Sequence, residues 1–183
     1  MVKILFSQYR HNDLGKLVHD LERDYYDTIL HQCKNAAMLL AELQQDVVSP
    51  ATTLYLSLCN KLLDQVQDFL IMRTTGLLPY VMELYTKDVE GHDCNNCSGN
   101  CSMRHSAQLM GLKESPQRIK EILYRLQMVA MPLYTSTEYP NAYKILRNEM
   151  MLIDTALTEL FYIEEAMLVP KIMQAQNHIH AHD

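Results

Sequence analysis

Leu160–Met173 reads LFYIEEAMLVPKIM, and upstream Phe69–Met82 reads FLIMRTTGLLPYVM. Each sets a bulky apolar residue four positions before a charged one, Leu160 before Glu164 and Phe69 before Arg73. In each, a proline follows six residues after the charge, Pro170 and Pro79, and a methionine lies three beyond it. Both stretches close long helical patterns. A repeated helix end of this kind suggests two helix-pair halves packed on each other.

Working outward, Leu146, Met150, Ile153, Leu157, Leu160, Glu164 and Met167 recur at helical spacing and predict a helix from about Asn141 to Gln176. Tyr55, Leu58, Leu62, Val66, Phe69, Arg73 and Leu77 predict another from about Ala51 to Thr86. Gly76 and Pro79 are expected to bend or break it near residue 76. Before it, Leu14, Leu17, Val18, Leu21, Tyr25, Ile29, Ala36, Leu40 and Leu43 form one stripe, with Asp13 as N-cap and a stop at Val47-Val48-Ser49-Pro50. A shorter helix over 116–131 points Ile119, Ile122, Leu123, Leu126 and Val129 inward, with Ser115 as N-cap and Pro116 at its first position. Residues 1–12 read as a lead-in, and His178-Ile179-His180-Ala181-His182 as an exposed tail. Four amphipathic patterns without a strand signal predict an all-α, up-and-down four-helix bundle. It forms a single domain over residues 1–183, with a Cys/His-rich loop at about 87–105.

The 183 residues hold only five glycines and six prolines, a helix-favouring composition. A net charge of −6 argues against nucleic-acid binding. No apolar run reaches the ~18 residues of a membrane span. The N-terminal apolar run is too short for a secretory signal, so a cytoplasmic protein with reduced thiols is expected. Cys33 and Cys59 then read as small core residues. His11, His19 and His31 read as solvated or half-buried. Met150, Met151, Met167 and Met173 read as core filling, or as a soft partner surface.

The loop holds His92, Cys94, Cys97, Cys101 and His105, in the spacing C-x2-C-x3-C-x3-H with His92 just before. Cysteines two apart can grip one metal from a tight turn. Three thiolates with His105 or His92 make a closed, structural zinc site, and with few apolar residues a metal would organise the loop. An iron–sulfur cluster, a thiol–disulfide pair or a plain flexible loop remain alternatives. No nucleophile–base pair or glycine-rich phosphate loop is present, so the residues lean away from an enzyme.

The helix ends resemble those of hemerythrin-like proteins, and over about residues 14–175 the chain is most similar to the di-iron family that repairs iron–sulfur clusters, the RIC family. Asn141–Met173 resembles that family's last helix, with its Ala-Tyr-Lys start and Glu-x-x-x-Leu-x-Pro finish. Asp24-Tyr25-Tyr26 falls where the first helix carries a His pair or Tyr-His. The resemblance implies His and Glu at i, i+4, side by side on one face. Here those positions hold Phe69 and Arg73 in one half and Leu160 and Glu164 in the other. Tyr25 or Tyr26 replaces the first-helix His, and no His stands near 115–117. The di-iron centre is therefore expected to be lost.

Arg73 and Glu164 are expected to pair in the interior, with Tyr25, Tyr26 and Tyr162 as further donors; the alternative is that Arg73 reaches solvent. The function expected is a non-catalytic metal-binding or metal-sensing module acting through the loop. The alternative is a repair or stress-response protein in which Glu149, Glu159, Glu164, Glu165 or the tyrosines hold a metal differently. A third reading is a plain structural homodimer through the outer helix faces; a protein partner or homodimer is left open.

Overall fold

The first long helix begins where its cap stands. The Asp13 carboxylate accepts the Lys16 amide at 2.7 Å, satisfying a donor that the first turn leaves open. The computed structural model describes residues 6–46, 49–91, 116–131 and 141–181. Among these the chain is all-helical, without a strand. Helix α1 (Ser7–Arg10) precedes the cap. Then α2 (Leu14–Leu21) passes through a π-helical turn, Glu22–Tyr26, into α3 (Asp27–Leu43). Helix α4 (Pro50–Met72) passes through a second π turn, Arg73–Leu77, into α5 (Leu78–Glu90). Helix α6 covers residues 116–131. Helix α7 (Asn141–Ile163) passes through a third π turn, Glu164–Leu168, into α8 (Val169–Ala181).

Several expected boundaries shift, each for a local reason. Residues 7–12 are anchored at two points rather than a bare lead-in: Tyr9 is buried and donates to Asp24 at 2.9 Å, and buried Asn12 donates to Asp20 at 2.8 Å. Pro79 does not break its helix. In an α-helix a proline ring collides with the carbonyl four residues back. For Pro79 that residue is Thr75 and for Pro170 it is Ala166, and both lie inside π turns. The wider turn lets the helix run on. The Thr74 and Thr75 hydroxyls donate to the Leu70 and Ile71 carbonyls one turn back, at 2.9 and 2.7 Å.

Helix α5 therefore continues through Glu90, four residues into the expected loop, and ends at Gly91. There a φ of 73° gives the left-handed cap that glycine adopts without strain. The last helix also outruns its expected end, reaching Ala181 with Ile179 buried. Its exposed His178 lies 2.6 Å from Asp88 of α5, so this part of the tail is docked.

Helix α3 packs on α4 and α2 on α5, so the first two rods run in opposite directions. Helix α3 also packs on α7, and α5 on α8. Helix α6 lies along α4 and α7: Leu123 and Leu126 face Tyr55 and Met150 across a groove, and Gln127 donates to Asp154 at 2.8 Å. Thus α3, α4, α6 and α7 enclose one end of the core, and α2, α5 and α8 the other. The three π turns fall at the junction. Every residue of the Leu14–Leu43 stripe is buried. In the last helix the extra residue of the π turn moves the stripe by one position. Leu168 and Ile172 take the core, while Met167 is half-buried. Met150 is buried, but Met151 and Met173 are exposed rather than core filling. No helix among the described residues is long and apolar enough to cross a membrane.

Helices α2 and α5 meet closely at Gly15. A Cβ there would stand 2.7 and 2.9 Å from two carbons of the Tyr85 ring. Gly15→Ala is expected to lower stability by about 1–3 kcal/mol, the usual cost of overpacking. The loss should shrink when Tyr85→Ser is combined with it. Urea unfolding of the single and double variants checks both.

Candidate functional site

Each long rod contributes one polar residue from its π turn to a common point. Tyr26 is the last residue of the first turn, Arg73 opens the second and Glu164 opens the third. Arg73 Nε donates to Glu164 Oε1 at 3.0 Å, and Arg73 Nη2 donates to Oε2 at 3.2 Å. The Tyr26 hydroxyl donates to Glu164 Oε1 at 2.6 Å. Arg73 and Tyr26 are each 2% exposed and Glu164 3%. The fork of the guanidinium meets both carboxylate oxygens, a geometry lysine cannot supply.

Apolar neighbours keep the cluster dry. The Arg73 Cζ lies 4.6 Å from the Phe69 ring centre, a cation–π contact. Phe161 meets Phe69 edge-on at 5.4 Å, and Leu160 is fully buried. Lys120 of α6 places its Nζ 5.5 Å from the Phe161 ring centre. Burial pushes the Tyr26 hydroxyl well above the usual phenol range, and the Glu164 charge pushes it further. The tyrosine therefore stays a proton donor to Glu164.

The other expected donors lie elsewhere. Tyr25 is buried but donates to Glu159 at 3.1 Å. Tyr162 is exposed on the far side of its helix and packs against Phe6. Neighbouring positions on a helix differ by about 100°, so Tyr25 and Tyr26 cannot both face the cluster.

These residues do not fit the pair of irons that the resemblance implies. Among the described residues, Glu164 is the one carboxylate bonded to Arg73 and Tyr26, and both of its oxygens already accept hydrogen bonds. Phe69 and Leu160 offer no donor atom, and a guanidinium repels a metal cation. Among the described residues, no group of three or more His, Cys, Asp or Glu is placed to hold a metal. Cys33 and Cys59 are buried, with thiols pushed up to about 12; they are inert packing residues. His11, His19 and His31 are exposed. The loop residues His92, Cys94, Cys97, Cys101 and His105 lie outside the described residues, as do Ser115 and His182.

The π turns had only a partial signal in the sequence. A proline six residues after the charge marks two of them. The turn at Glu22–Tyr26 has no proline behind it. No protein-family model matches the chain, and no curated protein or solved structure matches it either.

Arg73→Met or Glu164→Gln alone should cost about 3–5 kcal/mol, because each strands a buried partner. Arg73→Met with Glu164→Leu should recover most of that loss, as urea unfolding of the cycle will read.

The alkaline limb has a definite sign. The folded protein keeps its phenol and thiol protons where the unfolded chain releases them. Stability is whole below the unfolded values and falls as pH rises. The thiols act first, from 9.0 toward about 12. Tyr26 acts from 10.0 upward. Tyr26→Phe should lose about 1.5–3 kcal/mol at neutral pH, yet show a shallower decline above pH 10. Thermal melts across the alkaline range check this.

Proposed function

We propose that the chain is an up-and-down four-helix bundle of hemerythrin-like architecture whose di-iron centre has been replaced by an ion pair. In this reading it works as a non-catalytic metal-binding or metal-sensing interaction module. The observation that supports it is the convergence of Tyr26, Arg73 and Glu164, within hydrogen-bond distance, at a buried point flanked by Phe69 and Leu160. Those are the positions where the resemblance calls for iron ligands. The guanidinium supplies the positive charge that a metal would bring, and the two aromatic or aliphatic residues supply the volume. Metal chemistry then falls to Cys94, Cys97, Cys101 and one of His105 or His92, whose donor types suit a closed zinc site. A closed site without an open position favours sensing or structure over hydrolysis. A protein partner or a second copy would read the metal-bound state.

Elemental analysis tests this directly. Purified protein should carry about one zinc or other thiolate-bound metal per chain, and Cys94→Ser/Cys97→Ser should lose it. Equal metal content in both would remove the loop from the account. Iron loading should give no oxo-bridged di-iron absorption. Its appearance would favour the competing reading, an iron–sulfur repair protein with a rearranged site.

A further inference from the structure

Away from the buried pair, α4 and α6 flank an open cleft of about 730 Å³. Lys61 and Gln65, one turn apart on α4, form one wall. Arg118, Glu121 and Arg125 project from one face of α6 and form the other, at helical spacing. Buried Ile122 lies between, and Lys120 completes the basic set. The chain as a whole is acidic, with 22 Asp and Glu against 16 Lys and Arg. Among the described residues that line it, the cleft reverses that balance, with four cations and a single carboxylate.

Three of these cations are also available. Other basic residues of the structure, such as Lys16, Arg23 and Lys87, sit against carboxylates. Among the described residues, Lys61, Arg118 and Arg125 make no ion pair or hydrogen bond. Glu121 is engaged by the Gln117 amide at 3.4 Å. Like charges gathered in one cleft repel one another, and a bound anion removes that cost. Two arginine forks and a lysine suit the several oxygens of a phosphate group. The volume suits a small molecule. Tyr124, 65% exposed at the rim, offers a ring face for a planar group.

We propose that this cleft binds a multiply charged, phosphate-bearing small molecule. Such binding requires neither a metal at Cys94, Cys97 and Cys101 nor any particular role for Arg73 and Glu164.

Calorimetric titration of the full chain with inorganic pyrophosphate and with ATP tests it. At least one probe should saturate, with affinity that weakens as salt rises. Arg118→Ala/Arg125→Ala should bind about tenfold or more weakly. Arg118→Lys/Arg125→Lys, which keeps the charge and removes the forks, should fall between. Lys34→Ala, an exposed cation on α3, should bind as the wild type does. Absence of saturable binding by both probes would overturn the proposal. So would unchanged affinity in the double alanine variant, or an equal loss in Lys34→Ala.

Discussion

The middle of this molecule depends on one carboxylate. Glu164 is nearly sealed from water and accepts hydrogen bonds from a guanidinium on one rod and a phenol on another. Left without its cation, a carboxylate buried this deeply would cost the fold about 3–5 kcal/mol. With Arg73 and Tyr26 in place the charge is neutralised and Glu164 Oε1 accepts twice. The pair adds little net stability over apolar packing, because desolvation offsets most of the attraction. Its consequence is register: the three rods can slide or rotate only by stranding a buried charge.

The π turns make that meeting geometrically available. Each carries one member of the cluster, and in two rods the same turn absorbs a proline that would otherwise break the helix. Insertion of one residue also resets the apolar stripe, so the helix halves on either side of the turn can face different neighbours. That suits a bundle in which α3, α4, α6 and α7 enclose one end while α2, α5 and α8 enclose the other. π turns are frequent at functional sites, and here they surround a buried ion pair whose side chains do not fit a metal.

Much of the fold was legible because burial repeats. Leu14 to Leu43 recur at helical spacing and all are buried, Asp13 caps where a short acceptor should, and α6 covers the range its pattern predicts. Arg73 was legible as a charge on an apolar stripe, and a charge there must either leave the core or be paired. What escaped has physical causes too. A π turn shifts a pattern by a single residue, which shows only as the exchange of Met167 for Leu168. Tyr25 and Tyr26 are adjacent, so spacing alone could not choose between them. The docking of Tyr9 and His178 depends on partners far along the chain, Asp24 and Asp88, and no local pattern carries that information. Lys120 was unremarkable in the sequence, and only the packing of α6 brings it over Phe161.

In the proposed reading, Arg73 stands as a fixed and paired cation where a metal would otherwise sit. The Nε–H signal of Arg73 in a proton–nitrogen correlation spectrum reports on it most directly. A buried, hydrogen-bonded Nε–H should exchange with solvent far more slowly than those of exposed arginines such as Arg118 and Arg125. It should lose that protection in Glu164→Gln and stay unchanged when ferrous iron is added. An Arg73 signal that exchanges as fast as the exposed ones, or that shifts or broadens away with stoichiometric iron, would contradict the account.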